Sequence, residues 1–154
     1  MTTLVLVPFD GGPVAQAALR AACLGARRDG TLVAALYVAL IPRQLPLRAD
    51  LPWLARETTR IQLLAEPIFQ ETGANAWAEW VCARELAPAI AGVARELEAS
   101  RILLGIRRAS RHPAWLRYWS VSESLRRLAP CPVDARVFPL SEAVGARMST
   151  EALS

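Results

Sequence analysis

The sequence has no lysine; its eighteen basic side chains are all arginine. That excludes the phosphate-binding pattern GxxxxGK[ST], and the glycine-rich pattern GxGxxG is missing as well. There is one histidine, His112, beside Pro113 and without a carboxylate or cysteine at metal spacing. It supports neither a metal site nor a catalytic base, and reads as an exposed loop residue. The three cysteines, Cys23, Cys82 and Cys131, are far apart and form no CxxC pair. They read as small buried hydrophobes in a reducing compartment. No Ser-His-Asp or Cys-His arrangement can be assembled, so the residues point away from an enzyme.

Long apolar runs are also lacking. Leu32 to Ile41 is the longest and ends at Pro42, too short to cross a bilayer. The N-terminus has no basic start and is interrupted by Asp10, so no signal peptide is read and a cytoplasmic location is expected. Hydrophobic residues nevertheless make up 53% of the 154 positions, enough for one domain with a single core. The net charge of +4 has two explanations. A biased genome would favour arginine and alanine together. Phosphate recognition would favour the planar guanidinium fork.

Short apolar runs alternate with helical stripes along the chain. Strands are predicted over Thr3 to Phe9, Thr31 to Ala39, Asn75 to Cys82, Arg101 to Ile106 and Val133 to Phe138. The first helix begins at Pro13, with Val14, Ala18, Ala21 and Leu24 as its stripe, and stops at Gly30. The second runs from Trp53 to Thr72 and is expected to kink or shorten at Pro67. The third is marked by Leu86, Ile90, Val93 and Leu97. The fourth is read as short, Ser120 to Leu128, with Val121, Leu125 and Leu128 inward. Leu40 to Pro52 is a proline-rich loop, and the end of the chain a frayed tail. The fold class is therefore α/β: a doubly wound five-stranded parallel sheet with helices on both faces. Residues 1–140 form the domain and 141–154 the tail. Ligands of such sheets sit beyond the carboxyl ends of the strands, where the strand order switches. That rule singles out the turn at Asp10, the strand end at Val38 and the loop from Gly105.

The same three segments resemble the universal stress protein family. LVPFDGG is similar to its first strand and aspartate turn. The stretch from Gly105 to Val133, above all SVSESLRRLAPCPV, is similar to its closing signature. The resemblance implies that Asp10 and the backbone near Val38 hold an adenosine, while the Gly105 loop and the Ser120 hydroxyl hold phosphates; Val121 is a further candidate for the nucleotide site. The sequence departs from the family pattern at two of these places. Arg108 stands three residues after Gly105 where the family has glycine, and Trp119 replaces the glycine before the helix serine. A bulky side chain sits where a triphosphate would need bare backbone. ATP binding in the usual family manner is therefore not expected. No cofactor is required; ATP or another adenine nucleotide is the candidate ligand.

Several residues carry two readings. Asp10 either accepts hydrogen bonds from its own turn or contacts a ribose or base. Arg107, Arg108, Arg111 and Arg117 form either a solvated basic loop or arginine-based phosphate contacts replacing the glycines. Trp115, Tyr118 and Trp119 either stack on bases or fill the vacated pocket; filling is favoured. Ser120 and Glu123 have capping-box spacing, which accounts for them without a ligand. The last strand, with Asp134 and Arg136 on it, is the expected homodimer edge, as the resemblance implies. A regulatory domain leads these readings, acting by dimerisation or a protein partner. An arginine-based nucleotide site follows, and a nucleic-acid or acidic-partner module comes last.

Overall fold

A computed structural model describes residues 3–107 and 114–138; for Arg107 and residues 114–120 it gives the backbone course only. The elements are β1 (Leu4–Pro8), α1 (Pro13–Asp29), β2 (Leu32–Leu40), α2 (Pro52–Thr72), β3 (Ala76–Ala83), α3 (Leu86–Glu96), β4 (Arg101–Arg107), α4 (Ala114–Leu128) and β5 (Val133–Phe138). All neighbouring strands are parallel, in the order β3-β2-β1-β4-β5. The central strand β1 is buried from Leu4 to Val7, as an apolar run without alternation requires when both faces are covered. Side chains of α1 and α2 pack on one face with Val5, Val7, Val33 and Ala35. Those of α3, with Leu125 of α4, pack on the other with Leu4, Leu6, Ala34 and Leu36. Period two along the strands sends alternate residues to the two cores.

Pro13 opens α1 and Gly30, at φ 69°, closes it, the pairing of proline start and glycine stop read from the sequence. The buried face of α1 differs from the stripe expected there. It consists of Ala18, Leu19, Ala22, Cys23 and Ala26, while Leu24 is 51% exposed. Alanine is so frequent in this helix that apolar pattern alone does not set its rotation. Those alanines have a consequence: a face of small side chains lets α1 lie close against the sheet.

Two further expectations are corrected. Helix α2 is not shortened by Pro67 but continues through it to Thr72, although proline removes one backbone hydrogen bond. Ile61, Ala65, Ile68 and Phe69 are buried around it and anchor both sides of the break. Helix α4 begins at Ala114, six residues before the expected start at Ser120. Ser120, Ser122 and Glu123 therefore lie within the helix, and the capping box does not form. Ser122 is buried, and Glu123 pairs with Arg126 at 3.3 Å. Leu128, expected inward, is exposed.

Cys23 is buried, and burial raises its thiol pKa despite a hydrogen bond with Thr72. Cys82 and Cys131 are half-buried. No helix among the described residues is long and apolar enough to cross a membrane.

Candidate nucleotide site

The strand order reverses about β1, which lies between β2 and β4. Against β2 its ladder runs from Leu4↔Leu32 to Pro8↔Leu36. Against β4 it is paired at Val5↔Arg101 and Leu6↔Ile102, nearer the amino end. The sheet thus loses its β1–β4 pairing before the carboxyl ends are reached. A cavity of about 440 Å³ opens there, within the size range of small-molecule sites. Asp10, Val38, Gly105 and Val121 all line it. Phe9, Leu36, Leu86 and Ile90 make much of the wall apolar, and Tyr37 and Arg60 add polar groups.

Asp10 is placed by the turn between β1 and α1. Its Oδ1 accepts the Gly12 N–H at 2.8 Å, which is the local turn role foreseen for it. Its Oδ2 accepts no hydrogen bond among the described residues, and the side chain is exposed. Both readings of Asp10 therefore survive, one on each oxygen. Gly11 has φ 85°, a left-handed conformation that glycine adopts without strain.

Gly105 lines the cavity, and packing gives a reason for its bareness besides the one read from the sequence. A Cβ on it would stand 2.9 Å from Val14 Cγ1, 3.0 Å from the Val14 carbonyl oxygen and 3.1 Å from Ala18 Cβ. Its bareness is already required by the close seat of the small-residue face of α1 on β4. A phosphate need not be invoked for it.

The start of α4 bears on phosphate binding. Only the N–H groups of the N-cap and the first three residues of an α-helix lack an intrahelical acceptor, and within α4 those belong to Ala114, Trp115 and Leu116. At Trp119, Ser120 and Val121 the N–H groups point into the helix's own hydrogen bonds. Val121 is two turns along α4, so the cavity meets the side of this helix and not its amino end. Arg107 is the last residue of β4, at the same end of the sheet as the cavity. Arg108, Arg111 and His112 lie outside the described residues, as do the side chains of Trp115, Tyr118 and Trp119 that were expected to fill the pocket.

Two residues of the wall were not foreseen. Tyr37 follows Leu36 on β2, and its phenol is pushed above its ordinary pKa by burial first, then by the charges of Glu57 and Asp10, with Arg60 opposing. Arg60 reaches in from α2: Nη2 donates to the Asp10 carbonyl oxygen at 3.2 Å and to Glu57 Oε2 at 3.0 Å. These bonds to Glu57 raise the guanidinium pKa further, so it stays charged. Among the described residues no group of three or more metal-ligating side chains occurs.

The family model of the universal stress proteins matches residues 1–133. This chain belongs to the universal stress protein family. Solved universal stress proteins share its fold. One from Burkholderia pseudomallei is 24% identical, with 87% of this chain and 95% of that one covered and a TM-score of 0.63. The Archaeoglobus fulgidus protein in complex with dAMP is 19% identical, with 88% and 97% covered and a TM-score of 0.65. An Arabidopsis thaliana family protein with AMP bound is 15% identical, with 91% and 94% covered and a TM-score of 0.62. A search of curated protein sequences found no match. The resemblance read from LVPFDGG and SVSESLRRLAPCPV is thus confirmed at the level of family and fold.

Proposed function

We propose that this universal stress protein is a regulatory domain that binds an adenine nucleoside or its monophosphate in the cavity at the carboxyl ends of β1, β2 and β4. The carrying observation is that Asp10, Val38, Gly105 and Val121, up to 111 positions apart in sequence, line one cavity of about 440 Å³. An apolar wall with a few polar groups suits a flat heterocycle bearing a sugar. Neighbouring folds with AMP and dAMP bound support the choice of base. A triphosphate is disfavoured for two reasons. Arg108 and Trp119 replace glycines of the family pattern, and the N–H groups at positions 119 to 121 are committed within α4. The described lining, an apolar wall with Asp10, Tyr37 and Arg60 as its polar groups, suits binding.

The test is calorimetric titration with adenosine, AMP, ADP and magnesium ATP. Adenosine and AMP are expected to bind, with each further phosphate changing affinity less than about ten-fold, or 1.4 kcal/mol. Magnesium ATP binding a hundred-fold tighter than AMP would contradict this reading. The position of Arg107 at the end of β4 favours a second one, in which arginines hold the α-phosphate. Under that reading Arg107→Ala with Arg108→Ala brings AMP down to the affinity of adenosine and leaves adenosine unchanged.

The homodimer is proposed through β5. That strand is an edge of the sheet, and Val137 on it is 54% exposed. Asp134 is already paired with Arg136 at 2.8 Å and lies 3.7 Å from Arg101, so charge on this edge is balanced within the chain. Sedimentation of the parent as a dimer and of Val137→Lys as a monomer is the expected result. A monomeric parent removes the proposal.

A further inference from the structure

We propose that Arg60 is a positioning residue for the nucleoside site, clamping the Asp10–Gly11 turn so that Asp10 Oδ2 faces an incoming hydrogen-bond donor. The inference rests on the nucleoside reading above and assigns to α2 a part in it that none of the motif residues supplies.

Three contacts define the clamp. Arg60 Nη2 donates to the Asp10 carbonyl oxygen at 3.2 Å, across 50 residues of sequence. Nη1 lies 2.9 Å from where a Gly11 Cβ would stand, so the guanidinium rests over the bare backbone of the turn. Glu57, one helical turn earlier, accepts from Nε at 3.3 Å and from Nη2 at 3.0 Å and fixes the fork. Gly11 serves this arrangement twice: its φ of 85° makes the turn, and its missing side chain admits Arg60. The Gly12 N–H holds Asp10 Oδ1 from the other side at 2.8 Å. With its carbonyl and one carboxylate oxygen both tied, Asp10 retains Oδ2, among the described residues, as the acceptor left for a ligand.

The charge balance says what that ligand end must be. Two carboxylates, Asp10 and Glu57, surround one guanidinium, and the guanidinium is already spent on Glu57 and a backbone carbonyl. Among the described side chains at this turn the surplus is negative. Such a spot takes neutral donors, of which a ribose diol is the fitting class, and turns phosphate toward β4. A lysine at position 60 would keep the charge and lose the fork that spans both partners.

A double-mutant cycle on adenosine binding tests this, because action through Asp10 must appear as non-additivity. Arg60→Ala is expected to weaken adenosine binding about ten-fold, the scale of losing one well-placed hydrogen bond. Arg60→Lys should recover little of it. Combined with Asp10→Asn, Arg60→Ala should cost nothing beyond Asp10→Asn alone. Equal binding by the parent and Arg60→Ala overturns the proposal, and so do losses that multiply in the double variant. Failure of the parent itself to bind adenosine would instead count against the nucleoside reading. If Arg60→Ala does not fold, Glu57→Gln, which preserves volume and releases the fork, takes its place in the same cycle.

Discussion

Gly105→Val is expected to lower the unfolding free energy by about 3 kcal/mol, the upper part of the range for overpacking. Even the first added carbon would meet Val14 Cγ1 at 2.9 Å and the Val14 carbonyl oxygen at 3.0 Å. A backbone oxygen cannot swing aside as a side chain can, so α1 must lift from β4. Valine's preference for strands offsets only part of this. In a domain of 154 residues the melting temperature should fall by roughly 10 °C. The ligand-free protein decides the matter. If Gly105 were bare only for a phosphate, the valine variant would melt with the parent and lose nothing but affinity. The present reading requires the loss of stability whether or not nucleotide is added, and Val14→Ala should restore part of it by removing the Cγ1 contact.

Asp10→Asn separates the two roles that Asp10 combines. Asparagine can keep an oxygen 2.8 Å from the Gly12 N–H, so stability should stay within about 0.5 kcal/mol of the parent. It replaces the second carboxylate oxygen by an NH₂ group, which cannot accept from a ribose hydroxyl. Adenosine affinity should therefore fall about thirty-fold, as expected for a hydrogen bond to a charged group of roughly 2 kcal/mol. Asp10→Ala should lose the same affinity and a further ~1 kcal/mol of stability, because the turn loses its acceptor. Unchanged adenosine binding by the asparagine variant would leave Asp10 a turn residue alone. Equilibrium denaturation and calorimetry on the same three proteins read both quantities.

The contrast between these residues shows what a sequence of this kind reveals. Val133–Phe138 is the strand read from its apolar and charged alternation, and Leu32–Leu40 differs from its expectation by one residue at each end. Buried parallel strands are short apolar runs between turn residues, and that signal is local. Asp10, Val38 and Gly105 were also legible, since the switch-point rule needs only the order of strands and the ends of three of them. The beginning of α4 was not. Arg117, Tyr118 and Trp119 interrupt any clean stripe, and only the second half, with Val121 and Leu125, keeps helical spacing. The overlooked signal is Pro113 followed by sixteen residues without glycine or proline.

Arg60 could not have been found in this way. It stands just before Ile61 on a helix whose stripe is otherwise ordinary, and it meets Asp10 only because α2 packs beside α1 on the same sheet face. Gly105 was noticed for a role in phosphate binding, and nothing in the sequence signals that its lack of a side chain also answers to Val14 and Ala18. Each is a property of distance in space, and composition holds no record of it. The position of the α4 start has the same character. It gave the presence of Trp119, where the resemblance implies glycine, a structural setting: the helix begins six residues early, and the N–H groups at positions 119 to 121 are used up within it.

A crystal structure of the unmodified protein grown with AMP tests the central claim most directly. The account requires the purine and ribose inside the cavity walled by Phe9, Leu36 and Val38, with a ribose hydroxyl donating to Asp10 Oδ2 and Arg60 still on the Asp10 carbonyl. A nucleotide bound at another surface, or a cavity that stays empty at saturating AMP, would contradict it.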